Sequence, residues 1–140
     1  MRYTTLLLLA FFFALPTRAE QGLSEADAGA IRGVIGQQLQ AFQADDGNLA
    51  FSFASPLIQE KFGDPGTFME MVRGAYDPVY RPTEVEFQEI DMTSGVPVQE
   101  VLVVDRAGKA WLAHYEMTKM EDGSWRISGC WLEQLPDVST

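Results

Sequence analysis

Apolar and polar residues alternate in three successive runs over the last third of the chain. Residues 96–104 are valine-rich and end at Asp105-Arg106-Ala107-Gly108, residues 109–119 end at Glu121-Asp122-Gly123, and residues 124–132 follow. A period of two, broken by glycine-containing turns, predicts a three-strand meander. Upstream the period becomes that of a helix: Ile31, Val34, Ile35, Leu39 and Phe42 recur at three- and four-residue intervals behind Ser24 and Asp27, a capping-box-like start, with Arg32, Gln37, Gln40 and Gln43 on the other face. Gly33 and Gly36 weaken this helix by up to ~1 kcal/mol each relative to alanine unless a neighbour packs closely on them, which is the expectation. Asp45-Asp46-Gly47-Asn48 ends the helix and can cap a second one through Leu49, Phe51 and Phe53. A third runs from Pro56 to Phe62, and Asp64-Pro65 opens a fourth that carries Phe68, Met71 and Val72. Two prolines in Asp77-Pro78-Val79-Tyr80-Arg81-Pro82 predict a non-helical link, and Val85, Phe87 and Asp91 alternating with Glu84, Glu86 and Gln88 predict a further strand with one wet face.

Helices first and strands last define an α+β fold, with N-terminal helices packed on a curved antiparallel sheet. Treating Arg106-Ala107-Gly108 and Glu121-Asp122-Gly123 as three-residue loops sets a register. It pairs Val103 with Trp111, Val101 with Ala113 and Glu100 with His114, then Met117 with Ile127, Tyr115 with Gly129 and His114 with Cys130. One face then carries Val101, Val103, Trp111, Ala113, Tyr115, Met117, Trp125, Ile127, Gly129 and Trp131 as the floor for the helices. The other carries Leu102, Leu112 and Leu132 beside Glu100, His114, Cys130, Glu116, Arg126 and Ser128. That much leucine on an outer face predicts a partner, most simply a second copy.

A net charge of −10 and a pI near 4.4 argue against nucleic acid and anionic membranes as partners. With 46% apolar and 11% aromatic residues the chain can bury one core, and its length fits one domain. Residues 1–19 read as a cleavable signal peptide: Arg2, an apolar run from Leu6 to Leu15, Pro16, then Thr17-Arg18-Ala19 before a cut at Glu20. That run is about half of the ~20 apolar residues needed to span a bilayer. The expectation is an exported protein, periplasmic or secreted, with a single domain at 20–140 and no stable membrane association after cleavage. Cys130 is the one cysteine; an intermolecular bridge and a reactive thiol are alternatives to the favoured reading of a buried apolar filler.

Gln38-Leu39-x-Ala41-Phe42, Asp45-Asp46, Phe53-Ala54-Ser55-Pro56, Phe62-Gly63, Met71-Val72, Tyr76 with Pro78-Val79, and Asp122-Gly123 through Gly129 resemble the family called domain of unknown function 4864. More broadly, the order of elements resembles the nuclear transport factor 2-like superfamily, which includes ketosteroid isomerase and SnoaL-type proteins. The resemblance implies a cone-shaped, cystatin-like fold with a pocket between helices and sheet, often paired into homodimers through the sheet. It implies no single reaction, because sites are grafted onto such folds independently.

The residues offer several candidate sites. Phe42, Tyr76, Tyr80, Trp111, Tyr115 and Trp125 are candidates to line the pocket. Asp45 and Asp46 could share a proton at a pocket rim, or cap helices, the reading their Gly47-Asn48 neighbours favour. The guessed register also sets Glu100, His114 and Cys130 side by side, a carboxylate–imidazole–thiol row with nucleophilic geometry, against the plainer reading of a seam with a packed thiol. One histidine is too few for an ordinary zinc site, so no metal and no cofactor are expected. The favoured function is a non-catalytic binding module for a small apolar ligand or a protein partner. The alternatives are an isomerase, dehydratase or hydrolase using Asp45 or Asp46 with Tyr76 or Tyr115, and a homodimeric structural factor with a filled cone.

Overall fold

A computed structural model describes residues 22–137; the proposed leader lies outside the described residues. Five helices precede four strands: α1 (Glu25–Gln43), α2 (Gly47–Ser52), α3 (Pro56–Phe62), α4 (Pro65–Ala75), α5 (Asp77–Tyr80), β1 (Glu84–Asp91), β2 (Val98–Val104), β3 (Ala110–Lys119) and β4 (Trp125–Gln134). The architecture is α+β, with a single antiparallel sheet in the order β1-β2-β3-β4.

Each of the first four helices starts where a short side chain meets the free N–H groups of its first turn. Ser24, Asp46, Ser55 and Asp64 accept from the backbone of Asp27, Leu49, Ile58 and Thr67 respectively. Pro56 and Pro65 sit in first turns, where their missing N–H costs nothing. The same logic corrects the non-helical link expected over residues 77–82: Pro78 lies in the first turn of the one-turn helix α5, so only Pro82 acts as a breaker.

Ile31, Ile35, Leu39 and Phe42 of α1 are buried together with Val101, Val103, Ala113, Tyr115, Met117, Trp125 and Ile127 of the sheet. The helical stripe thus closes on one sheet face. Gly33 and Gly36 do not act as expected: a Cβ at Gly36 would meet nothing within 4 Å, and at Gly33 only the Gln37 amide at 4.0 Å. The close approach occurs instead at Gly47, where a Cβ would stand 2.9 Å from the Met69 Cγ.

Both meander turns carry glycine at positive φ, 81° at Gly108 and 87° at Gly123, a region other residues avoid. Between β2 and β3 the pairing is Val103–Trp111, Val101–Ala113 and Glu100–His114, as the loop lengths predict. Between β3 and β4, Met117 faces Ile127 as expected, but the register then shifts and Glu116 faces Gly129, leaving Ser128 as an extra residue. A bulge of one residue moves everything after it to the opposite face. Tyr115 therefore faces Cys130 rather than Gly129, and His114 faces Trp131 rather than Cys130. Cys130 and Leu132 pack against the core, while Trp131 stands 47% exposed on the outer face.

The junction of α2 and α3 is fastened to the same strand. Ser55 donates its backbone N–H to the Ile127 carbonyl and Ile127 donates to Phe53, each at 2.8 Å. This bridge holds α3 beside β4 and defines one wall of the space described next.

Candidate functional site

A cavity of about 420 Å³ opens between α1, α3 and α4 on one side and β3 and β4 on the other. Aromatic and aliphatic side chains dominate its wall: Phe42, Ile58, Phe62, Phe68, Met71, Val72 and Ile127. Three phenylalanines are interlocked there, Phe68 lying 6.3 Å from Phe42 and 5.7 Å from Phe62 by ring centroids. Such edge and tilted contacts give a stiff wall that need not be built by the ligand.

Of the six residues expected to line the pocket, Phe42, Tyr76 and Tyr115 do so, and Cys130 joins them. Tyr80, Trp111 and Trp125 lie elsewhere. The Trp111 indole donates to Asp105 in the β2–β3 turn at 2.9 Å and the Trp125 indole to Asp27 in the first turn of α1 at 3.0 Å. The hollow exists because the tryptophans do not fill it.

Tyr76 donates its hydroxyl to the Cys130 carbonyl at 3.0 Å. Tyr115 is 1% exposed, and its hydroxyl makes no well-formed hydrogen bond among the described residues, its neighbour being the Cys130 thiol, a weak partner at best. Burial pushes both tyrosines up, Tyr115 well above the ordinary phenol value, and pushes the Cys130 thiol up to about 12. All three are neutral at neutral pH, and a protonated thiol is a poor nucleophile. Among the described residues no carboxylate and no imidazole lines the cavity.

The bulge dismantles the carboxylate–imidazole–thiol row. His114 retains Glu100, its Nδ1 standing 3.8 Å from the carboxylate, but its Nε2 meets Glu133 at 3.1 Å and its ring stacks on Trp131 at 5.1 Å and 6°. Cys130 is on the other side of the sheet. Among the described residues no metal-ligating cluster of three or more forms.

Asp45 and Asp46 both lie outside the cavity and take different roles. Asp46 caps α2 through the Leu49 N–H at 3.1 Å. Asp45 ends α1 in the left-handed region, φ 51°, and holds the neighbouring α5 corner. It accepts from the Tyr80 hydroxyl and from Arg81 Nη2 at 2.8 Å, with Arg73 at 3.8 Å. The Tyr80 hydrogen bond first, then Arg81, holds its carboxyl below the usual range.

These shifts set the pH response. Asp45, Asp27, lowered mainly by Trp125, and Asp105, lowered mainly by Trp111, bind protons less readily folded than unfolded. Their contribution is present above the unfolded carboxylate value of roughly 4 and is lost as pH falls through the folded one. Cys130 and Tyr115 are raised, so their contribution is intact below each group's unfolded value and is lost as pH rises above it, for Cys130 toward about 12. Urea midpoints are expected to be flat from about pH 5 to 8 and to fall on both sides; Cys130→Ala should flatten part of the alkaline limb alone. An alkaline limb identical in that variant would mean the thiol is solvated.

Residues 24–140 match the family model described as domain of unknown function (DUF4864). The chain belongs to that family. No curated protein and no solved structure matches it.

Proposed function

We propose that this DUF4864 protein is a binding module whose cavity takes a small, largely apolar ligand. The observation that carries the reading is the preformed space of about 420 Å³, walled by interlocked phenylalanines and with Tyr115 and Cys130 among its lining on the sheet side. Apolar pockets of ~300–1,000 Å³ with a few convergent polar groups are the usual form of small-molecule sites. The neutral tyrosines and thiol, and the absence of any carboxylate in the lining, supply hydrogen-bonding groups but no proton acceptor poised near neutrality. This favours binding over the isomerase, dehydratase or hydrolase alternative, whose candidate bases Asp45 and Asp46 face solvent.

A neutral, solvent-sensitive naphthylamine fluorophore tests the reading. Its emission should rise and shift to the blue with the wild-type chain. Ile58→Trp, which fills the cavity from its half-buried α3 position, should abolish the response while the chain remains folded by circular dichroism. Fluorophore that binds both proteins equally is not in the cavity, and the reading then fails.

Placement in the nuclear transport factor 2-like superfamily, export after loss of residues 1–19, and homodimerisation through the sheet belong to the same proposal. Helices covering one face of a four-stranded antiparallel sheet support the first. For the dimer, the supporting feature is Trp131, 47% exposed on the outer face beside Leu102 and Leu112. Glu100, Glu116 and Glu133 share that face, so a symmetric dimer there should tighten with salt. Native mass spectrometry showing a strict monomer at micromolar concentration would exclude it.

A further inference from the structure

We infer that the ligand is a single-chain anionic amphiphile, its tail in the cavity and its head at Lys61; the inference rests on the cavity reading above. Among the described residues Lys61 is the one charged residue in the lining, on the last turn of α3. Its Nζ stands 5.5 Å from the centroid of Phe62, itself part of the cavity wall and packed edge-on against Phe68. The ammonium is therefore held at the rim over an aromatic wall, its stem along apolar surface and its charge in water. Among the described residues Arg73, Arg81, Arg106 and Lys119 are engaged by aspartates, whereas Lys61, like Arg32, Lys109 and Arg126, forms no ion pair; of these four, Lys61 lines the cavity.

The charge context gives this position its meaning. With a net charge of −10, the chain as a whole repels anions. A neutral apolar ligand needs no cation at the mouth, and a cationic one would be opposed by it. An anionic head with a single tail satisfies both the apolar wall and the unpaired ammonium. Lysine acts here as a point charge and sets no demand on the shape of the head.

Displacement of the naphthylamine fluorophore by decanoate and by decanol, equal in chain length and different in charge, tests the inference. In Lys61→Met the ratio of decanoate to decanol affinity should fall about fivefold, the size of an exposed ion pair of ~1 kcal/mol. Lys61→Arg should restore the ratio. A ratio unchanged in Lys61→Met overturns the anionic head while leaving an apolar site in place. Failure of both decanoate and decanol to displace a fluorophore that Ile58→Trp excludes also overturns it. If the fluorophore binds wild type and Ile58→Trp alike, the cavity reading itself falls and takes the inference with it.

Discussion

Trp125→Ala is expected to destabilise the fold by about 3–5 kcal/mol, the usual cost of emptying a large aromatic site in a core. Trp125 is 7% exposed and packs with the stripe of α1. Its indole N–H donates to Asp27 Oδ1 at 3.0 Å, and Lys119 reaches the same oxygen at 3.2 Å with its Nζ 5.8 Å from the indole ring. Asp27 is also the residue whose N–H is capped by Ser24. One side chain therefore ties the start of β4 to the first turn of α1, nearly a hundred residues earlier. Trp125→Phe separates the two contributions: it keeps most of the apolar area and loses the hydrogen bond to the Asp27 carboxylate, so its stability should fall between wild type and Trp125→Ala. Urea denaturation of the two variants measures both. A loss below about 1 kcal/mol for Trp125→Ala would mean the ring is not in the core.

Tyr115→Phe is expected to act in the opposite direction, raising stability by roughly 1–3 kcal/mol. The ring is enclosed and stays; only a buried hydroxyl without a hydrogen-bond partner is removed, and such a group carries its desolvation cost uncompensated. Most substitutions in a core destabilise, so the sign alone is diagnostic. If the hydroxyl serves a ligand, the same variant should lose affinity for acceptor-bearing ligands as it gains stability, the usual exchange at binding sites. A Tyr115→Phe chain that melts earlier than wild type would show that the hydroxyl makes a hydrogen bond after all, with Cys130 the nearest candidate.

The elements that sequence made legible are those whose causes are local. Ser24 and Asp64 cap helices through atoms three residues away, and Gly108 and Gly123 sit where a turn needs positive φ. The β2–β3 register follows from one loop length. The β3–β4 register does not, because Ser128 is inserted with no turn chemistry beside it. Gly129 was the available signal, since an isolated glycine within a strand pattern marks a bulge. A Cβ there would stand 3.1 Å from Glu116 Oε2, a distance that only the folded sheet defines. Asp45 was unreadable for a different reason: its partners Tyr80 and Arg81 lie 35 and 36 residues away, within a link read as non-helical. Trp111 and Trp125 are pocket candidates in the sequence, but their indole N–H groups need acceptors, and Asp105 and Asp27 lie at element ends where such acceptors are found.

The extra residue at 128 behaves as a phase switch for the end of the chain. Without any change in composition, it decides that Cys130 and Leu132 enter the interior while Trp131 and Glu133 leave it. The orientation of the distal half of β4 is consequently more sensitive to a slip in register by one than to a change of side chain. Deleting Ser128 would leave these pairs as they are, because Gly129 already faces Glu116; drawing Ser128 into the ladder opposite Glu116 is what would invert the tail, sending the indole inward and bringing the sulfur out beside the imidazole. Chemistry absent from this protein is thus one slip of register away from being assembled on its surface.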